Sequence, residues 1–541
     1  MILTNTILRA DAGENARSPH AAHSENRCAV ENNLHSRVAA IDIGSNALRM
    51  HIFEQDAQGA IQTIETLRKP IRLGHDVFHN GKILSQSFED ALKAMKEFRQ
   101  LIDRAAVSKV AAVATSAVRE ASNGAAFIER AVQETGIDVQ IIDSSEEARL
   151  IITAILDRME LAGLNVEHIE VGGGSVEVSL IEDGKVQFSL THKLGAVRLI
   201  QLQNHCHASQ EKFNGIIQEY TNLTHNRLRH SLGTKNIDRF IATGGNIDSV
   251  VWLLEQTDWG IVDTSTGFQR ISCETLARVI RELALYSFNE RVEKFRLRPD
   301  RADVILPAAQ VYLSFARMAQ AEWIYTPGVG VRDGLAIELF RKEEPVHKLK
   351  KYQQLISAVM AVGEKYEFDR NHATTVTAYA LELFDAMQDI HRLGEKERLL
   401  LEIASLLHDI GYFVSISRHH KHSYYLISES DIVGFSARDK LIAANIARYH
   451  RKSFPKGQHE NFQNMDSKEK KIILKLAAIV RVADALDRDH AAQKMPLSIK
   501  TRGNRIILNL PPAKERSFYR WALMPKRDLF NEVYGYQVEI N

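Results

Sequence analysis

The chain has 541 residues, which is too long for one hydrophobic core and predicts three or four domains. Its 69 Lys and Arg residues balance 68 Asp and Glu residues, and the net charge is +1. This balance excludes a global attraction to nucleic acid or membranes, so a polyanion must be held by a local cluster.

The three cysteines, Cys28, Cys206 and Cys273, form no close pair, so we expect no disulfide framework and a reducing, cytoplasmic location. No apolar run follows a basic start, so no signal peptide is expected. No stretch of 18 apolar residues is present, so no membrane span is expected.

Residues 1–36 are polar and lack apolar periodicity, which predicts a disordered extension. The pattern changes at Arg37. Apolar runs then predict an α/β segment, with strands at 38–41, 48–53, 60–66, 110–114 and 139–142 and a helix at 85–103.

The opening of this segment is repeated further along the chain. When Asp42 is placed over Glu170, an offset of 128 residues, Gly44 meets Gly172 and Ile52 meets Leu180. A gap of three residues at the polar turn keeps the third strands aligned. Such a repeat predicts two similar α/β lobes that face each other across a cleft, each contributing one glycine turn.

The two turns have the composition of phosphate-binding loops. Glycine allows close approach of the backbone, consecutive N–H groups form an anion-binding nest, and Ser and Asn side chains add donors. One such turn alone is equally typical of a tight hairpin, but two turns at equivalent places favour phosphate. The candidate residues are Ser45, Asn46, Gly172, Gly173, Gly174 and Ser175.

Carboxylates accompany both turns. Asp42, Glu170 and Glu177 suit Mg²⁺, which prefers one or two carboxylates plus phosphate oxygens. Glu147 follows a strand and begins a helix, where a carboxylate commonly only complements the helix dipole. It is also placed to act as a general base for water, and the residues alone leave both interpretations open.

Helical periods replace strand patterns after about residue 343 and continue to about 490, and strands return after Pro496. The charged stretch from Arg341 to Lys351 is predicted to be a linker. The predicted domains are a disordered extension (1–36), a first lobe (37–160), a second lobe (161–345), a helical domain (346–495) and a small α+β cap (496–541).

The motifs at 42–46, 114–119, 145–150, 171–177, 194–199 and 242–245 occur in the order found in the Ppx/GppA phosphatases, and the chain resembles that family over about 37–541. The resemblance implies duplicated actin/hexokinase-like lobes (ribonuclease H-like fold) and a C-terminal HD-type domain. It also implies hydrolysis of phosphoanhydrides, Mg²⁺ in the cleft and a homodimer.

The resemblance further implies roles for single residues. Glu147 matches the family's catalytic glutamate, Glu177 a second catalytic carboxylate, and Arg119 a phosphate contact. Arg301 is a candidate for positive charge in the cleft or for a salt bridge at a helix start. The family usually has Asp where this chain has Glu170, whose extra methylene extends the carboxylate by about 1.5 Å.

The helical region resembles the HD metal-phosphohydrolases, through His372, His408, Asp409 and Asp484 in that order. Imidazoles and carboxylates suit Mn²⁺, Mg²⁺ or iron, although each residue also has a purely structural interpretation. Nearby basic stretches, 418–422 and 448–452, are either a solvated face or a channel for a polyanion, with His419, His420, His422 and His450 as further possible ligands.

We therefore expect an exopolyphosphatase that removes terminal orthophosphate from inorganic polyphosphate, with no specific nucleic-acid partner. The alternatives are a guanosine pentaphosphate (pppGpp) 5′-phosphohydrolase, a ppGpp-binding protein whose catalysis is weakened by Glu170, a sugar or acid kinase of the same fold, and independent nucleotide hydrolysis by the HD-type domain.

Overall fold

The structure is a computed structural model that describes residues 36–206, 210–232, 236–490, 494–511 and 516–541. The predicted disordered extension at 1–36 lies outside these residues, apart from Ser36. No helix among the described residues is both long and apolar enough to span a membrane.

The described strands form three sheets. The first, ordered β3-β2-β1-β4-β5, contains β1 (Arg37–Ile43), β2 (Leu48–Gln55), β3 (Ile61–Lys69), β4 (Lys109–Ala114) and β5 (Val139–Ile141). The second, ordered β8-β7-β6-β9-β11-β10, contains β6 (Asn165–Val171), β7 (Val176–Glu182), β8 (Lys185–His192), β9 (Arg239–Thr243), β10 (Arg270–Ser272) and β11 (Trp323–Tyr325). The third, ordered β12-β13-β14, contains β12 (Ser498–Arg502), β13 (Arg505–Asn509) and β14 (Gln537–Ile540).

The helices that accompany the first two sheets are α1 (Leu73–Asn80), α2 (Ser85–Arg104), α3 (Ser116–Glu120), α4 (Gly124–Thr135), α5 (Ser144–Arg158), α6 (Ala196–Cys206), α7 (Gln210–Leu232), α8 (Gly245–Glu255), α9 (Cys273–Ala284), α10 (Phe288–Phe295), α11 (Pro299–Ala302), α12 (Ile305–Met318) and α13 (Val331–Arg341). Those that follow are α14 (Pro345–Lys365), α15 (Arg370–Ala386), α16 (Gln388–His391), α17 (Glu395–Leu407), a 3₁₀ turn (Ile410–Phe413), α18 (His419–Glu429), α19 (Ala437–Arg448), α20 (Glu460–Gln463), α21 (Ser467–Leu486), α22 (Arg516–Leu523) and α23 (Arg527–Tyr534).

The internal repeat is present in the sheets. In each copy three antiparallel strands are joined by a glycine turn and a polar turn, and the first strand pairs in parallel with a later one, β4 or β9. Both copies also have a β-bulge at the same place, after Ile52 and after Leu180, which are 128 residues apart. Since bulges increase local twist, the two sheets bend alike beyond their glycine turns.

The stretch predicted to be a linker is mostly helical. Helix α13 ends at Arg341 and α14 begins at Pro345, so only Lys342–Glu344 connect them. Proline suits the first helical position because its missing N–H needs no partner there. Charge and proline content therefore marked a helix start, not an extended linker.

From Pro345 to Leu486 the described residues contain helices and no strand. One hydrophobic core joins α15, α17, α19 and α21 to the third sheet and its two helices, and it extends from Leu355 to Ile540. The C-terminal strands and helices therefore complete the core of the helical region. The proposed boundary at 495/496 stays a prediction.

Candidate active site

The largest cleft has a volume of about 660 Å³ and is lined by both glycine turns. The first turn closes the β1–β2 hairpin, where the Gly44 N–H donates to Ala47 O at 3.2 Å. The second closes β6–β7, where the Gly172 N–H donates to Ser175 O at 2.9 Å. These two amides therefore build the turns and are not available to a ligand.

The remaining amides of the turns are free. Among the described residues, no acceptor lies within hydrogen-bond distance of the backbone N–H of Ser45, Asn46, Gly173, Gly174 or Ser175. Unpaired N–H groups at the edge of a cleft form a nest for an anion. The prediction of phosphate binding at these positions is thus compatible with the backbone.

The two turns also contact each other. A Cβ on Gly173 would lie 3.0 Å from Ser45 Cβ, and one on Gly195 would lie 2.4 Å from the carbonyl carbon of Gly173. Because only glycine fits at such approaches, the sequence of the second turn is explained by packing as well as by ligand binding. The Ser45 and Ser116 hydroxyls form a hydrogen bond of 2.9 Å, which joins the first turn to α3.

Asn46 lies at the cleft in an orientation different from the one predicted. Its amide nitrogen donates to Asp300 O at 2.8 Å and to Asp300 Oδ2 at 3.2 Å, and its Oδ1 is buried without a hydrogen-bond partner among the described residues. The free atom is therefore an acceptor, which suits water or a cation better than a phosphate oxygen.

Three of the predicted carboxylates, Asp42, Glu147 and Glu170, line the cleft. Burial, then the charges of Glu170 and Asp42, raise the pKa of Glu147 to about 8. Burial, then the charge of Asp42, raise the pKa of Glu170 to about 7. Burial and the charges of Glu147 and Glu170 raise the pKa of Glu177 well above its usual value.

The structure separates Glu147 from its neighbour Glu146. Asp143 caps α5 by accepting the Glu146 N–H at 2.9 Å. The Glu146 carboxylate then binds Arg149 with two hydrogen bonds of 2.8 Å, and Arg149 binds Glu338 at 2.6 Å. Glu147 faces the cleft with its Oε2 buried and unpaired among the described residues, so its carboxylate is not occupied by capping.

Arg119 and Glu177 are not among the described residues that line the cleft. The Arg119 guanidinium donates to Ile142 O and to Ser144 Oγ, and its charge lowers the pKa of Glu147 and Glu177 against their other neighbours. Glu177 is buried, and neither carboxylate oxygen has a hydrogen-bond partner among the described residues. A direct phosphate contact by Arg119 is therefore not present in this arrangement.

Arginines are the cleft residues that sequence reasoning mostly missed. Arg301 was proposed as a candidate, and its Nη1 donates to Asn246 Oδ1 at 2.7 Å. Arg49 was detectable, because it is the cross-strand partner of Asp42, whereas Arg332 lies 290 residues from the Asp42 carboxylate that it contacts at 3.2 Å. The arginines lining the cleft are Arg49, Arg68, Arg296, Arg298, Arg301 and Arg332.

Two of these arginines converge on one backbone position. A Cβ on Gly245 would lie 2.5 Å from Arg301 Nη2 and 2.8 Å from Arg49 Nη2. Burial, then the charge of Arg49, lower the pKa of Arg301 to about 9. Two guanidinium groups held together at the cleft wall define a site for an anion.

The carboxylates fit a divalent cation. Glu147 Oε2 and both oxygens of Glu177 are buried and unpaired among the described residues, and the raised pKa values show that the group lacks positive charge. Carboxylate oxygens are the ligands that hard divalent cations prefer. Asp42 and Glu170 are the candidate ligands on the cleft wall.

The four predicted HD-type residues lie together, away from this cleft. His372 Nε2 is 3.7 Å from both Asp409 Oδ2 and Asp484 Oδ1, and His408 Nε2 is 3.5 Å from Asp409 Oδ2. The sequence did not indicate Lys526, whose ammonium forms an ion pair with Asp484. The basic stretches around them do not form one solvated face, because His419, His420 and His450 are buried.

Fold and site together define a two-lobed protein with a phosphate-binding, carboxylate-bearing cleft. The model of the Ppx/GppA phosphatase family matches residues 51–343, and that of Ppx/GppA phosphatase domain III matches 356–529. The chain therefore belongs to the Ppx/GppA phosphatase family, whose members are phosphoanhydride hydrolases, as the resemblance predicted.

Curated relatives are similar over most of their length. A guanosine-5′-triphosphate,3′-diphosphate pyrophosphatase of Photobacterium profundum is 23% identical over 88% of this chain and 92% of its own. The enzyme of the same name from Aliivibrio fischeri is 22% identical over 77% and 80%. The crystal structure of an exopolyphosphatase from Cytophaga hutchinsonii, 23% identical, covers 57% of this chain and 98% of its own with a TM-score of 0.52, which supports the fold of the two lobes.

Proposed function

We propose that this protein hydrolyses the terminal phosphoanhydride bond of a substrate that carries a chain of phosphates. The observation that carries the proposal is the composition of one cleft, in which free turn amides, three carboxylates and six arginines meet. The amides and arginines bind phosphate oxygens, and the carboxylates supply a base and cation ligands.

The terminal phosphate binds the free amides of the second turn, and the preceding phosphates lie toward Arg49 and Arg301. Glu147 accepts a proton from a water molecule, whose oxygen attacks the terminal phosphorus. The P–O bond to the bridging oxygen breaks, and its electron pair stays with the shortened chain. A pKa near 8 makes Glu147 an effective proton acceptor near neutral pH.

A divalent cation held by Asp42 and Glu170 would neutralise negative charge on the phosphate oxygens. Arg332 contacts Asp42 at 3.2 Å, so this carboxylate is already oriented toward the cleft. Glu177 acts from beside the cleft through its charge on Glu147 and Glu170.

Inorganic polyphosphate is our first candidate substrate, because a row of arginines recognises a repeating polyanion without other groups. A second candidate is pppGpp, which two observations favour. The similar curated relatives are named for it, and Trp252, 38% exposed, lines the cleft and offers a stacking surface for a base.

The test is orthophosphate release from polyphosphate, pppGpp and ATP with Mg²⁺. We expect Glu147→Gln to lose activity by about 10²–10⁴-fold with an unchanged fold. Glu146→Gln is the matched control on the same helix, since its carboxylate faces Arg149, and it should keep most of its activity. Wild-type levels of release by Glu147→Gln would overturn the proposal.

Trp252→Ala separates the two substrates. A selective fall in kcat/KM for pppGpp supports base stacking, and an equal effect on both substrates contradicts it. Tight binding of ppGpp with no turnover of any substrate would instead support a sensing protein.

A further inference from the structure

A second cluster of ligating side chains lies within the helical region, where the Asp409 carboxylate sits between two pairs of histidines. Its Oδ2 is 3.7 Å from His372 Nε2 and 3.5 Å from His408 Nε2. Its Oδ1 is 3.1 Å from His419 Nε2 and 3.4 Å from His450 Nε2. Each pair thus faces a different oxygen of one carboxylate.

The other nitrogen of each imidazole already has an acceptor. His408 Nδ1 lies 2.7 Å from Ser405 O, His450 Nδ1 lies 2.7 Å from Ala447 O, and His419 Nδ1 lies 3.2 Å from Ile416 O. His372 Nδ1 lies 2.7 Å from Asp487 Oδ2. These acceptors place the proton of each neutral ring on Nδ1 and leave a lone pair on Nε2, which is the arrangement of histidines that bind metals.

Lone pairs therefore point at one another in a buried space. His419 Nε2 and His450 Nε2 are 3.4 Å apart, and neither has a proton to share in this tautomer. His408 Nε2 and Asp409 Oδ1 are buried without a hydrogen-bond partner among the described residues. All four imidazoles are at most 3% exposed, so water cannot solvate them freely.

The separations match those around a metal ion. Ligands about 2.1 Å from a tetrahedral ion are about 3.4 Å apart, and the ligand-atom separations given above lie between 3.1 and 3.7 Å. Both groups, His372–His408–Asp409 and Asp409–His419–His450, offer atoms that all lie within 4.8 Å of one another.

We propose that this region holds a pair of divalent transition-metal ions bridged by the Asp409 carboxylate. One ion is bound by His372, His408 and Asp409 Oδ2, and the other by Asp409 Oδ1, His419 and His450. The mixture of imidazole and carboxylate ligands selects ions such as Mn²⁺, Fe²⁺ or Zn²⁺ over Mg²⁺. The pair is separate from the cation expected in the cleft and does not depend on the proposed hydrolysis.

Two cations of the chain border the cluster. Lys526 forms an ion pair with Asp484, whose Oδ1 is 3.7 Å from His372 Nε2. Arg451 Nη1 is 3.1 Å from His419 Nε2. Both cationic groups therefore contact atoms that the metal ions would face.

The test is the Mn²⁺ content of the full-length protein after dialysis against Mn²⁺ and then metal-free buffer. We expect Asp409→Asn to bind two ions fewer than the wild type, and His450→Gln one ion fewer. His422→Ala is the control on the same helix as His419, because His422 belongs to neither group, and it should bind the wild-type amount. Circular dichroism establishes that each variant is folded.

Electron paramagnetic resonance tests the bridge itself. Two Mn²⁺ ions that share a carboxylate should show exchange coupling, which is lost in His450→Gln and replaced by the signal of an isolated ion. Equal Mn²⁺ content of the wild type and both variants would overturn the proposal, as would an uncoupled signal in a wild type that binds both ions.

Discussion

Glu177 lies directly opposite Glu170 on the antiparallel strands β7 and β6. At the equivalent place in the first lobe, 128 residues earlier, Arg49 lies opposite Asp42. One lobe therefore brings a carboxylate–guanidinium pair to the cleft, and the other brings two carboxylates. Like charges on cross-strand neighbours are unfavourable, so the second lobe tolerates this pair only if protons or a cation compensate it.

Replacing Glu177 by Gln should stabilise the cation-free protein, because a neutral amide removes repulsion from Glu147 and Glu170. We expect Tm at pH 8.5 in EDTA to rise by about 2 °C or more, the shift for roughly 1 kcal/mol in a large domain. Activity should fall in the same variant. A lower Tm, measured by scanning calorimetry, would contradict the repulsion argument.

The stability of the cation-free protein should fall as pH rises from about 5 to 9. The folded pKa values of Glu147 and Glu170, about 8 and about 7, lie above the model value of 4.5. Their favourable contribution is complete below pH 4.5 and is lost as pH passes 7 to 8. Mg²⁺ should restore Tm most at pH 8 and above, and Tm measured with and without Mg²⁺ across this range checks it.

Gly245→Ala should weaken substrate binding, because the new methyl group would displace Arg301 Nη2 and Arg49 Nη2. We expect KM to rise about tenfold or more, equivalent to the loss of about 1.4 kcal/mol of binding. Gly330→Ala is the matched control, since Gly330 lines the same cleft and a Cβ there meets no atom within 4 Å. Equal KM values in steady-state kinetics for the two variants would show that the arginine pair does not bind substrate.

Asp143→Ala should reduce both stability and kcat. Asp143 caps α5, one turn before the end of Glu147, and its Oδ2 accepts the Ala437 N–H of α19 at 3.0 Å. Loss of a helix cap costs about 0.5–2 kcal/mol. Ser272→Ala removes the cap of α9, away from the cleft lining, and should lower Tm without changing kcat. Equal kcat for the two variants would remove the link between α19 and Glu147.

Glu170→Asp should change the dependence of activity on Mg²⁺ more than kcat. The shorter side chain withdraws the carboxylate by about 1.5 Å from Gly244, over which Glu170 now lies. We expect the half-saturating Mg²⁺ concentration to fall several-fold. Glu167→Asp shortens a buried carboxylate on the same strand by the same methylene and should leave Mg²⁺ dependence unchanged. An identical response of both variants in Mg²⁺ titrations would exclude Glu170 as a ligand.

The sequence by itself determined the repeat, because strand alternation and glycine turns are local and recur at a fixed offset. It also indicated Glu147, Glu170 and the histidines His372 and His408, since their motifs are short. The structure agrees with the predicted strands to within a few residues at each end.

Only the tertiary structure decided which polar atoms are free. Asn46 donates to Asp300 and Arg332 contacts Asp42, partners that are 254 and 290 residues apart. Likewise, Glu146 and Glu147 are adjacent in sequence, yet Arg149 and Glu338 bind the first and leave the second facing the cleft. Hydrogen bonds and charges act over a few ångströms in space, so chain separation carries no information about which of these groups meet.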